Sequence, residues 1–186
     1  MRQTSIILLF AFVLAGATPG LAQRRVPDTG MGAIGASIGA ALPTASSLEN
    51  GLELAGNLEG YLTPRMSIRG QLGTAWLNIK GGGIDVRPLF ADGNVVYNWE
   101  GGQWHPYVTG GLGWYRYSVE RGSLEATDNN VGVYLGGGFE YFFTRRSTIT
   151  GELLYHKVGD VISGPFSYSD GSFWTFAIGG KAYLGR

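Results

Sequence analysis

The chain has no cysteine, only two histidines and few charges, with 14 Lys plus Arg set against 14 Asp plus Glu in 186 residues. Without cysteine there is no disulfide framework and no thiolate metal site. His105 and His156 stand too far apart for metal-ligand spacing, so no metal and no cofactor is expected. The balanced charge lacks the basic excess that nucleic-acid binding requires. Long apolar runs are also scarce: the longest, Ile6 to Leu14, is about half the ~20 residues of a spanning helix. Plentiful glycine (32) and aromatics (five Trp, ten Tyr, nine Phe) disfavour a helical bundle and favour all-β structure.

The apolar run follows Met1-Arg2 and leads to the small residues Gly20-Leu21-Ala22. A charged start, an apolar middle and a small-x-small site describe a secretory signal over residues 1–22. Cleavage there leaves 164 residues and removes one charge, Arg2, so that 13 basic residues face 14 acidic ones at a net charge of −1. Residues 23–30 (QRRVPDTG) read as a polar periplasmic lead-in, and residues 31–186 as one domain.

That domain repeats a unit of roughly ten alternating residues and a turn, the signature of a membrane β-barrel. The pattern predicts strands near 32–42, 51–62, 66–78, 88–99, 105–117, 130–143, 147–157 and 172–185. Every other connection is short: Thr63-Pro64-Arg65, Glu100 to Gln103 and Thr144-Arg145-Arg146 are compact, whereas 43–50, 79–87, 118–129 and 158–171 are longer and more polar. Short turns on the periplasmic side and long loops outside are the asymmetry of an outer-membrane barrel.

Strand neighbours point to opposite faces. Met66, Ile68, Leu72, Thr74 and Trp76 share one face of the third strand, and Ser67, Arg69, Gln71 and Gly73 the other. The later strands repeat this, with Leu89, Val95, Leu135, Phe139, Ile149, Leu153, Phe176 and Ile178 on the apolar parity. A lipocalin-like soluble barrel would place its oily face inside and a charged face outside. At 15% charged residues this chain has too little charge for a water-facing exterior, so the oily face is assigned to lipid. On it Trp76, Trp114, Tyr155 and Trp174 fall toward the loop ends, and Tyr97, Trp99, Tyr141 and Phe143 toward the turn ends, as two interfacial aromatic girdles would.

The segments YLTPRMSIRGQL (61–72), HPYVTGGLGWYRY (105–117) and FFTRRSTITGELLY (142–155) resemble outer-membrane barrel domains of the OmpA and OmpX type. The resemblance implies an eight-stranded antiparallel up-and-down transmembrane β-barrel in the bacterial outer membrane, inserted by the outer-membrane assembly machinery among lipid and lipopolysaccharide. Such barrels usually end in an aromatic residue, whereas this chain ends Tyr183-Leu184-Gly185-Arg186. Outer-membrane lipid A deacylases use a His-x-Ser pair; here Val158 stands two residues after His156.

Other motifs carry little chemistry. The loop acids Glu120, Glu125, Asp128, Asp160 and Asp170 are scattered carboxylates of a kind normally just solvated. The triple glycines at 81–83 and 136–138 open no helix, and glycine in a barrel strand serves close packing.

The inward set is Glu53, Asn57, Glu59, Arg69, Gln71, Asp92, Asn94, Glu140, Glu152, His156 and Lys181, joined by Tyr61, Tyr107, Tyr115, Tyr134 and Tyr183. An eight-stranded barrel is only wide enough for side chains, so Glu59, Arg69, Glu140, Glu152 and Lys181 are expected to form a structural network rather than a pore lining. A turn centred on Pro64 sets Glu59 opposite Arg69. The expected function is a non-enzymatic scaffold presenting surface loops for envelope integrity or surface interaction, its surface ligand unspecified. The alternatives are an OmpW-like conduit for small or hydrophobic compounds and, less favoured, a lipid A-modifying enzyme.

Overall fold

The computed structural model describes residues 27–80, 85–99, 102–121, 124–159, 161–163, 166–168 and 171–185. The signal and most of the lead-in, the glycines at 81–83, and Asp160 and Asp170 lie outside the described residues. The strands are β1 (Gly32–Pro43), β2 (Gly51–Tyr61), β3 (Met66–Asn78), β4 (Asp85–Asn98), β5 (Trp104–Arg121), β6 (Leu124–Phe142), β7 (Ser147–Val158), β8 (Val161–Ser163), β9 (Phe166–Tyr168) and β10 (Phe173–Leu184). Eight of them close a barrel in the order β1-β10-β7-β6-β5-β4-β3-β2, every pair antiparallel, while β8 and β9 form a small hairpin of their own. β1 pairs with β10 from Gly32↔Leu184 to Pro43↔Phe173, so the sheet has no free edge around the wall.

Local chemistry fixes the short turns. In two of them a threonine hydroxyl accepts from the backbone N–H two residues on, Thr63 from Arg65 (3.2 Å) and Thr144 from Arg146 (3.2 Å). Gly102, in the third, adopts φ +73°, a conformation that side chains strain to reach. The β2–β3 register runs through Gly60↔Ile68 and Glu59↔Arg69.

Along the wall, Leu72 is 59% exposed and its neighbour Gln71 only 5%. Leu58, Leu112, Val131 and Leu135 are also outward and exposed, and so continuous an apolar surface does not persist in water. Glycines 136 to 138 leave room for neighbours: a Cβ would meet Leu153 O at 2.3 Å from position 136, and Gly151 O at 2.2 Å from position 138.

Two expectations are corrected. Residues 118–121 and 124–129 are strand rather than loop: β5 and β6 continue the ladder through Ser118↔Thr127 to Arg121↔Leu124. Beyond the membrane band neither face must be apolar, so the alternation that reveals a strand in sequence fades while the hydrogen bonds persist. The inward face is not uniformly polar either. At the loop end Leu77, Val86, Phe90, Val158 and Phe173 point inward and pack with Leu48, Tyr115 and Tyr117.

Candidate functional site

Two layers of side chains cross the lumen. The layer nearer the short turns is ionic and draws on five strands. Arg69 of β3 places Nε 3.2 Å from Glu59 Oε2 and Nη1 2.5 Å from Glu152 Oε1 of β7. Lys181 of β10 reaches Glu59 Oε2 at 2.6 Å and also pairs with Glu140 of β6. Arg69 and Lys181 flank the Tyr107 ring at 5.3 and 5.6 Å from its centroid.

Hydroxyls satisfy the remaining acceptors. Tyr107 donates to Glu152 (2.5 Å), Ser67 to Glu59 and Tyr183 to Glu140, while the Tyr61 and Tyr183 hydroxyls lie 3.0 Å apart. Burying charges costs several kcal/mol each unless partners are numerous and well placed. Here Glu59, Glu140 and Glu152 each meet at least two donors. The Glu59–Arg69 opposition is a nearest-neighbour relation that strand register expresses. Contacts from Arg69 to Glu152 and from Lys181 to Glu59 involve other elements and depend on barrel closure, and no sequence pattern marks Ser67, Tyr107 and Tyr183 as ligands of the carboxylates.

The layer nearer the long connections is aromatic. His156 stacks on Phe173, with ring centroids 4.4 Å apart and planes at 7°, and on Tyr134 at 5.4 Å and 18°. Its Nδ1 is 2.9 Å from the Tyr115 hydroxyl, and Phe90 closes the group at 5.5 Å. His156 is fully buried and the third position of the would-be His-x-Ser pair is the buried Val158. His105 also faces inward, beside Phe142 (4.9 Å), with Nε2 3.1 Å from Gly102 O. Among the described residues no three His, Cys, Asp or Glu side chains gather as a metal site.

Outside, the aromatics pair. Tyr155 packs on Trp174 (4.7 Å) toward the long connections, and Tyr97 on Trp99 (5.0 Å) toward the short turns. Trp76 and Trp114 are outward and 40% exposed, and Phe143 is exposed just past the end of β6. Trp104, which sequence parity had not enlisted, joins Tyr141 (4.8 Å) and Phe139 (5.3 Å); it lies one residue before the strand start read from sequence.

A closed eight-stranded wall, apolar outside and filled inside, fits one family model, that of the outer membrane protein beta-barrel domain, which matches residues 8–180. The chain belongs to that family. Among solved structures it is similar to Neisserial surface protein A of Neisseria, at 16% identity and a TM-score of 0.71, covering 82% of this chain and 98% of that one. The outer membrane protein OprG of Pseudomonas aeruginosa gives 15% identity and a TM-score of 0.66, covering 87% and 99%. Ail, the attachment invasion locus protein of Yersinia pestis, gives 10% identity and 0.61, covering 84% and 99%. At these identities the likeness is one of fold. A sequence comparison with curated proteins finds no match. The barrel's structural relatives are thus bacterial outer-membrane barrels, small and eight-stranded like itself.

Proposed function

We propose that the barrel is a non-enzymatic outer-membrane scaffold with a closed lumen, which displays the β5–β6 hairpin and the 158–171 connection at the cell surface for envelope integrity or surface interaction. In this reading it is exported by the 1–22 signal, inserted by the outer-membrane assembly machinery and set among lipid and lipopolysaccharide, with Trp76, Trp114, Tyr155 and Trp174 at one interface and Tyr97, Trp99, Tyr141 and Phe143 at the other.

The observation that carries it is the double closure of the lumen. A solute would have to break the Arg69 and Lys181 ion pairs and then part the His156–Phe173 stack. Conduction requires a path that ions enter and leave easily, and buried pairs of this kind oppose it. Meanwhile β5 and β6, at 18 and 19 residues, are the longest strands among the described residues, and β6 runs on beyond the end of β7. Extended strand ends and connections on a rigid wall suit recognition rather than transport.

Planar-bilayer recording of the refolded full chain tests the reading. A closed scaffold gives no steady single-channel steps in symmetric salt. Reproducible steps would favour the narrow conduit instead, and altered lipid A mass in cells expressing the protein would favour the enzyme.

A further inference from the structure

The lumen holds more buried acid than its ion pairs use. Glu53, Glu59, Asp92, Glu140 and Glu152 are all buried inside the barrel, against the two buried cations Arg69 and Lys181. The pairs among the described residues join those cations to Glu59, Glu140 and Glu152 alone. Glu53 takes a hydrogen bond from the Thr175 hydroxyl. Asp92 meets no cation among the described residues; the Tyr115 hydroxyl stands beside it and also lies 2.9 Å from Nδ1 of His156. A carboxylate buried without a counter-ion is costly, and proteins meet that cost by neutralising it or by binding a positive ion.

The surroundings of Asp92 supply further oxygen. Register sets Asn57 opposite Gln71 and Gln71 opposite Asp92, so three inward side chains stand in one row across β2, β3 and β4. Directly opposed residues have Cβ atoms about 5 Å apart, so Asn57 and Asp92 flank Gln71 about 10 Å from each other and an ion beside Gln71 lies at the reach of both side chains. Asn57 Oδ1 and Gln71 Oε1 have no hydrogen-bond partner, and their residues are 9% and 5% exposed. The next residue of the row is Gly113, where a Cβ would stand 1.9 Å from Asp92 Oδ1; glycine there is what lets the carboxylate occupy its place. Arg69 lies two residues from Gln71 on the same face, but its charge is already divided between Glu59 and Glu152.

We propose that Asp92, Gln71 and Asn57 bind a monovalent cation inside the barrel wall, between the ionic and aromatic layers. The carboxylate supplies the charge and the two amide oxygens complete a hard, all-oxygen donor set. One carboxylate in the row suits Na⁺ or K⁺ rather than a divalent ion, which takes six or more oxygens and more charge. The cation balances the acid that the ion pairs leave over and joins three strands through their side chains.

Thermal unfolding of the refolded full chain in lipid nanodiscs, in NaCl, KCl or N-methyl-D-glucamine chloride at equal ionic strength, tests this. The large organic cation cannot enter the row. Na⁺ or K⁺ is expected to raise the midpoint by several degrees over N-methyl-D-glucamine, with the difference lost in Asp92→Asn and weakened in Gln71→Leu. Identical midpoints in the three salts, or a cation effect that survives Asp92→Asn, would overturn the proposal; proton uptake by Asp92 would give the first of these. Should Asp92→Asn fail to fold, crystals of the unaltered chain grown in thallium(I) decide. An anomalous peak among Asn57, Gln71 and Asp92 supports the site, and its absence at a thallium level that replaces the salt's cation overturns it.

Discussion

Arg69 reaches from β3 to β7, where its Nη1 lies 2.5 Å from Glu152, while its Nε holds Glu59 of β2 at 3.2 Å. One guanidinium therefore ties the β2–β3 pair to β7, a strand with which neither shares a ladder. Its fully buried position makes the tie a matter of all or nothing, because a carboxylate left alone in the lumen keeps its desolvation cost and loses its compensation.

Arg69→Met is accordingly expected to destabilise the barrel by ~3 to 5 kcal/mol, since it leaves Glu152 without its cation and Glu59 with Lys181 alone. Adding Glu59→Gln is expected to cost less than the sum of the single effects, because each substitution removes part of what the other leaves unpaired. Urea unfolding in lipid vesicles, followed by tryptophan fluorescence, reads all three. Additive effects would mean that the contact contributes nothing to stability.

The outer surface gives a depth-dependent expectation. Leu72, at the middle of β3, is expected to lose ~2 to 4 kcal/mol as Leu72→Arg, whereas Leu52→Arg, opposite Trp76 near the end of the wall, loses ~0 to 1 kcal/mol. Both positions are outward and about half exposed, so burial in protein does not distinguish them. Equal costs in vesicles would contradict a membrane band centred on Leu72.

Much of this was legible in the sequence, for a definite reason. Lipid demands an apolar outer face and closure demands paired strands, so period-two alternation appears wherever the wall crosses the bilayer, as at Leu72 and Gln71. Where that demand ends, so does the signal: Ser118 to Arg121 and Leu124 to Thr127 remain in the ladder without any apolar parity to show it. Inside the barrel, register alone sets Glu59 against Arg69. The meeting of Arg69 with Glu152, or of His156 with Tyr134 and Phe173, also requires the diameter and closure of the barrel, which no short-range pattern encodes.

The two closures act in series, and that too can be tested. Phe173→Ala removes the ring stacked on His156 and opens the aromatic layer, but leaves the Arg69 and Lys181 pairs in place. No steady conductance is expected from this variant alone. Combined with Lys181→Ala, which frees Glu140 from its cation, it is expected to admit small cations in planar bilayers. Retention of the heat-modifiable gel shift checks that the double variant still forms a barrel. Conductance from Phe173→Ala alone would show that the ionic layer does not seal.

The β5–β6 projection makes a prediction about exchange rather than stability. β7 follows β6 only as far as Gly132↔Val158, whereas β4 follows β5 as far as Asp85↔Glu120, so from Val131 to Leu124 β6 is the open edge of the ladder and rests on β5 alone. A stretch of sheet with an open edge, paired on one side only, is held less securely than the closed wall. Its amides should open far more often than those of the barrel wall, yet less often than those of a segment outside the strands. Hydrogen-exchange mass spectrometry in nanodiscs should therefore rank three peptides, with 66–78 slowest, 118–131 intermediate and 44–50 fastest. Exchange of 118–131 as fast as that of 44–50 would show that the hairpin does not hold its ladder in solution and that the surface it offers is a loop; exchange as slow as that of 66–78 would place it within the cooperative unit of the barrel itself.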